Sequence, residues 1–274
     1  MKFFLPFLRL LPLLLAFSAC YEPREGCLDI EATNFDAAAD NNCCCTYPAL
    51  QLTFQPRFDT LVWKPDTAYQ LEPGKWFRIH QAVFYLSDFR VVQNGVELQV
   101  SDTLGLSVFG TGGDTLRTVF TNDFLLVRRT TANYTVGRFR PAGAFESVRF
   151  RVGVPDAAQR VIPALAPAGH PLGLQNEGLW LGADTGFVAL KLIISRDTLA
   201  ATVPDTLLFS RPDFAPVLVQ TDGVFRHESG YDFSLQLVAD FREMFRGLDL
   251  SNGDIPAWKA RIVANLPKAL RVSP

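Results

Sequence analysis

Phe145-Glu146-Ser147-Val148-Arg149-Phe150-Arg151-Val152-Gly153-Val154 is the stretch that decides the fold. Val148, Phe150, Val152 and Val154 fall on one side of an extended chain, and Ser147, Arg149 and Arg151 on the other. A period of two with one apolar and one polar side is a half-buried antiparallel strand. Leu50, Leu52 and Phe54 alternate in the same way against Gln51, Thr53 and Gln55, and Pro56 is expected to close that run. From Tyr231 to Ala239, Phe233, Leu235 and Leu237 oppose Ser234 and Gln236. Gly186 to Ser195 is nearly all apolar and reads as a central strand covered on both sides. Asn94-Gly95, between Val91-Val92 and Val96 to Val100, predicts a tight hairpin, because both residues tolerate positive φ.

Strands recur with turn residues between them, and no strand–helix alternation appears. The chain therefore reads as all-β, an antiparallel β-sandwich with long loops and one or two short helices. The first helix is expected at Asp240 to Gly247, where Phe241, Met244 and Phe245 share a face and Gly247 stops it. Ala257 to Ala264 is the second. Val154 to Gly178 carries four prolines and five alanines and reads as a long ordered loop, the kind of segment that carries function on a β scaffold.

The 274 residues are 48% hydrophobic, with 23 Phe, which suffices for a sizeable core. The formal net charge is −2. Charge that mild suggests no basic face for nucleic acid and no lysine-rich segment for anionic lipid.

The amino terminus states where the protein goes. Lys2 precedes the apolar run Phe3 to Phe17, then come Ser18, Ala19 and Cys20. That is a signal peptide over 1–19, and it looks like a lipoprotein signal whose Cys20 becomes the lipid attachment point. The protein is expected to be exported and held at the outer membrane by that lipid, on the periplasmic or the cell-surface face.

A Cys/Asp/Asn-rich module follows at 20–48, ahead of the sandwich domain at 49–274. Cys27, Cys43, Cys44 and Cys45 are the only later cysteines. Export permits disulfides. Cys27 with Cys45 is the candidate bridge, and which member of the triplet pairs is not readable from the sequence. The segment resembles a short Cys-bounded Asp/Asn module common in exported proteins of the Bacteroidetes. Its Asp29, Asp36 and Asp40 are candidate Ca²⁺ ligands, since oxygen-rich loops hold that ion; the alternative is a polar spacer between anchor and domain.

Four stretches of the main domain together resemble a known family. They are Tyr69 to His80 followed by Phe84-Tyr85-Leu86-Ser87-Asp88-Phe89; Pro141-Ala142-Gly143 with Val148 to Val154; His170-Pro171-Leu172 with Leu179-Trp180 and Asp184-Thr185-Gly186-Phe187; and Phe225-Arg226-His227-Glu228-Ser229-Gly230. In order and spacing they are similar to the MbnP-like copper-binding proteins. The resemblance implies an exported β-rich protein that binds a copper ion through histidine. It also implies a di-haem partner of the cytochrome c peroxidase type, which oxidises a tryptophan of the binding protein. Leu181 and Ala183 stand where the family carries its two tryptophans, and Trp180 lies one position before the first, so Trp180 is the candidate oxidised residue.

His80, His170 and His227 are the only histidines and the candidate metal ligands, because imidazole suits copper. His80 is expected on a strand with Phe77, Ile79 and Gln81 facing away from it. No Gly-x-Ser-x-Gly, His-Glu-x-x-His or P-loop occurs, so no enzyme activity is expected. The competing reading is a diverged, metal-free surface module for glycan or protein, with Trp63 and Trp76 available to stack on sugars.

Overall fold

The computed structural model describes residues 22–199, 201–211 and 214–274. The signal peptide and Cys20 lie outside the described residues. In chain order the strands are β1 (Glu25–Gly26), β2 (Asn41–Asn42), β3 (Ala49–Phe58), β4 (Leu61–Val62), β5 (Ala68–Glu72), β6 (Lys75–Gln93), β7 (Val96–Leu98), β8 (Thr103–Phe109) and β9 (Thr115–Thr121). Then come β10 (Leu125–Arg128), β11 (Asn133–Arg138), β12 (Gly143–Val152), β13 (Leu190–Ser195), β14 (Asp205–Phe209), β15 (Val217–His227), β16 (Phe233–Asp240) and β17 (Leu270–Ser273). Helices α1 (Phe241–Met244) and α2 (Ile255–Ala269) precede the last strand.

The fold is the expected all-β sandwich. The larger sheet runs β14-β13-β6-β12-β15, with β5, β7 and β10 also paired to β6. The smaller runs β11-β3-β16-β17, with β4 on β3. Most pairings are antiparallel, but β3 and β16 run parallel, and so do β1 and β2 in the amino-terminal module. Asn94 and Gly95 turn β6 into β7 at φ 52° and 74°, as their chemistry requires.

Strand β6 is the spine of the molecule. Its pairing register shifts opposite Ile193/Ile194 and again opposite Arg149/Arg151. These bulges reset which residues face the sandwich interior. Phe77 and Ile79 are followed in that core by Ala82, Phe84 and Leu86, then by Phe89 and Val91. The first shift corrects the expectation that Gln81 continues the Phe77–Ile79 face: the bulge gives that role to Ala82.

Three boundaries also differ from expectation. Strand β3 runs through Pro56 to Phe58, because β11 has left its side by Thr53 and the missing proline N–H leaves no rung of that pairing broken. Strand β13 begins at Leu190, and Lys191 and Ile193 are only half-buried, so it is covered fully on one face alone. Helix α2 extends past Pro267 to Ala269. Asp254 caps its start by accepting from Ala257 N at 3.0 Å, and Trp258, Ile262, Leu266 and Ala269 bury one face, which offsets the N–H that Pro267 lacks.

The sandwich core holds rings from both sheets, with Phe54 edge-on to Phe84 at 6.1 Å and Phe145 stacked on Phe233 at 5.5 Å. A second core lies on the outer face of the larger sheet. Val83 and Tyr85 of β6 are covered there by Leu106 and Val108 of β8 and by Val154, Ala158, Val161, Leu172, Leu179 and Phe187. The loop from Gly153 to Ala189 thus forms a third layer, with 3₁₀ turns at Ala158–Arg160 and Pro163–Leu165.

Candidate functional site

A cleft of about 790 Å³ opens where this loop layer meets β10 and β11. His170 lies on its loop wall and is 8% exposed. The turn that carries it closes through His170 N to Pro167 O at 3.0 Å and Gly173 N to His170 O at 2.8 Å. Its Nδ1 accepts from Leu172 N at 3.1 Å, so the ring proton sits on Nε2, which donates to Asn122 Oδ1 at 3.0 Å. Burial pushes its pKa below the usual histidine value, which keeps the ring neutral.

The opposite wall carries Arg128. Its guanidinium donates to Gln175 Oε1 at 2.9 Å and pairs with Glu177 Oε1 at 3.0 Å. The Gln175 amide donates in turn to the carbonyls of His170, Pro171 and Gly173. Tyr134 accepts from Arg128 N and donates to Arg128 O, which pins the β10–β11 corner. Asp102, at the rim, pairs with Arg138 at 2.5 Å. The cleft is polar, and both charges on its walls are paired.

His80 sits elsewhere, at the first bulge of β6. Its Nδ1 meets Asp66 Oδ1, and its Nε2 lies 2.7 Å from Ser195 Oγ. Asp66–His80–Ser195 has the connectivity of a charge relay, and no sequence motif links these three positions. Ser195 is only 3% exposed, so its hydroxyl is sealed from any substrate and the relay ties β13 to the turn before β5.

His227 ends β15 and is 4% exposed. Its Nδ1 lies 2.7 Å from Pro141 O and its Nε2 2.7 Å from Tyr231 O. The ring stacks on Phe233 at 5.1 Å. Carbonyl oxygens only accept, so one ring nitrogen donates and whichever nitrogen keeps a lone pair aims it at a backbone carbonyl rather than at open space.

The sequence does not say whether the three candidate histidines converge, and in the structure each has its own surroundings. They hold three separate sets of partners, and among the described residues no group of three His, Cys, Asp or Glu side chains is placed to hold a metal. A copper ion needs a ring lone pair from each imidazole. The residues present do not fit a three-histidine copper centre.

The amino-terminal module closes with a Cys27–Cys45 disulfide, and Cys43 and Cys44 are free thiols. A hydrogen bond from Cys44 and desolvation push the Cys43 thiol up to about 11. The three aspartates are not gathered around one point. Asp29 accepts from Glu31 N, Tyr47 and Arg140; Asp36 accepts from Ala38 N and pairs with Arg24; and Asp40 accepts from Arg24 N. The Glu31 amide, the foremost of its partners, holds the Asp29 carboxyl below the usual range. These carboxylates brace the module, and Arg140 docks it on the domain by stacking on Tyr47 at 3.9 Å.

Trp180 lies in the loop layer, parallel to Phe109 at 6.2 Å, and its buried Nε1 has no hydrogen-bond partner among the described residues. Trp63 is 1% exposed, which removes it as a sugar platform, whereas Trp76 is 48% exposed. Asn122, Arg128 and Gln175 were not legible as site residues. The only signal was that Gln175 and His170 share a long loop.

A two-sheet sandwich whose larger sheet carries a loop-built layer and a polar cleft is the class that fold and site define. Within that class the chain belongs to the MbnP family, whose model matches residues 47–257. Among solved structures it is similar to MbnP from Methylosinus trichosporium at 12% identity, covering 82% of this chain and 97% of that one, with a TM-score of 0.46. No curated protein matches.

Proposed function

We propose that this chain is an exported MbnP-family protein, tethered through Cys20, that binds a neutral polar small molecule in the cleft beside His170. The observation that carries this is the cleft itself: about 790 Å³, bounded by side chains whose charges are already paired. A charged ligand entering there would lose water without gaining a free counter-charge. A neutral one exchanges hydrogen bonds with His170, Asn122 and Gln175. The loop layer supplies the binding groups, and the sandwich holds them in place.

Native mass spectrometry of the exported chain, mixed with neutral polar metabolites, tests this reading. A retained non-metal adduct that Gln175→Ala and Asn122→Ala both abolish supports it. An exported chain that retains nothing, or keeps its adduct in both variants, overturns it.

Family membership favours a second reading, copper bound with His170 as a ligand and a di-haem partner acting on Trp180. Both residues belong to the loop layer. This reading requires the His170 Nδ1 lone pair to leave Leu172 N. Copper retained by the wild type and lost in His170→Ala, with Trp180 oxidised when the di-haem partner is co-expressed, would establish it.

A further inference from the structure

Far along the chain from the His170 cleft, two grooves share one ion pair. The first, about 320 Å³, is bounded by Trp76, Leu61, Gln70, Asp59 and Arg242. The second, about 450 Å³, continues past the same Asp59 and Arg242 to Glu72, Asp240, Glu243 and Arg246. No residue of either groove lines the cleft.

The site is rigidly built. Trp76 follows the β5–β6 turn, where Gly74 takes φ +82°, and pairs in register with Gln70. Beneath it, Phe58 stacks on Tyr69 at 4.3 Å and packs against Phe77 at 6.0 Å. Arg242 Nη1 donates to Asp59 Oδ2 at 2.5 Å, and Asp59 N donates to Asp240 Oδ1 at 3.1 Å. An indole 48% exposed thus stands beside the Gln70 amide and a carboxylate–guanidinium pair held in fixed orientation.

We propose that this face binds a saccharide. The indole stacks on the apolar C–H face of one pyranose ring. Gln70 and the Asp59–Arg242 pair exchange hydrogen bonds with its hydroxyls, which both donate and accept. Further sugar units extend along Glu72, Asp240 and Glu243. A greasy protein partner fits less well, because covering this groove with apolar surface would strip water from carboxylates and guanidinium groups and replace no hydrogen bond. A sugar satisfies both halves, since it has an apolar face and a hydroxylated edge.

The inference rests on the reading of the chain as an exported binding protein, but not on the cleft. The exported full chain is titrated calorimetrically with maltohexaose, cellohexaose, xylohexaose and mannohexaose. At least one is expected to bind, with affinity falling about tenfold in Trp76→Ala, the weight of one aromatic stack. A smaller loss is expected in Arg242→Gln, and none in the cleft variant Gln175→Ala. Trp76 is on the surface, so circular dichroism will confirm that its variant folds. No binding by any of the four sugars, or binding that Trp76→Ala leaves intact, overturns the proposal. Sugar binding that depends on Trp76 stands even if the cleft proves empty of function.

Discussion

Phe84 and Tyr85 are neighbours on β6, and each is buried under a different kind of structure. Phe84 points into the sandwich, against Phe54, in a core supplied by alternate residues of two sheets. Tyr85 points outward, edge-on to Phe187 at 5.8 Å, and donates to Pro171 O at 3.1 Å. Its cover is the long loop together with strand β8. Burial drives its hydroxyl pKa well above the usual tyrosine value. The two sides differ in how the backbone over them is satisfied. Over Phe84 the sheet ladders do that work, so the side chains can be wholly apolar. Over Tyr85 the β8–β9 hairpin supplies a ladder for part of the cover, and the buried peptide groups of the loop need other partners. Gln159, Gln175 and Ser87 supply some of those partners, which is why the polar cleft forms on this side.

The largest expected effect lies on the sandwich side. Phe150 is fully buried and stacks on Phe89 at 5.5 Å. Phe150→Ala is expected to cost about 3–5 kcal/mol of global stability, measured by denaturant unfolding. On the loop side, Gln159 Oε1 accepts from Phe187 N at 2.6 Å and its Nε2 donates to Val154 O at 2.9 Å. Gln159→Leu removes both bonds and is expected to cost about 2–3 kcal/mol, near the penalty for buried unpaired groups. Hydrogen exchange in that variant should rise in residues 153–189 and stay protected in β12 and β16. A uniform rise would erase the distinction between the two sides.

A smaller effect concerns pH. The neutral form of His170 is favoured in the folded state, so its folded pKa lies below the unfolded one. The contribution is fully present above the unfolded value of about 6.5 and is lost as pH falls below it, because the unfolded chain then binds the proton first. His170→Gln should flatten the stability–pH curve in that window. An unchanged slope would show that the ring is not held neutral by burial. The smallest effect is on the amino-terminal module. Alkylation without reductant should label Cys44 readily and Cys43 more slowly, since its raised pKa leaves little thiolate, and leave Cys27 and Cys45 unlabelled, with no change in the unfolding of the main domain.

The same contrast explains what the sequence made legible. The faces of β3 and β16 and of β12 from Val148 to Val152 follow from simple alternation, and the β6–β7 turn follows from Asn94-Gly95, but a bulge at Phe145/Ser147 brings Phe145 into the same core and buries Ser147, and Val154, expected beside Val152, lies in the outer core instead. The bulges of β6 carry no local signature, so Gln81 was assigned to the wrong side. The loop layer has no period at all. Its polar groups are matched to particular carbonyls and amides, and nothing in Gln159, Gln175 or Asn122 announces that pairing. The histidines were legible as residues able to bind copper. Whether their lone pairs are free depends on partners such as Asp66, Asn122 and Pro141, which lie 14 to 86 positions away.

The most direct test of the central claim, that the three histidines serve three separate hydrogen-bonded sites, is a Cu(I) titration of the exported chain against a chromogenic chelator. Wild type, His80→Ala, His170→Ala and His227→Ala are compared under the same conditions. The account predicts that no variant differs from wild type in copper taken from the chelator. Stoichiometric copper held by the wild type and lost together in all three variants would contradict it, and would mean the histidines gather around one ion.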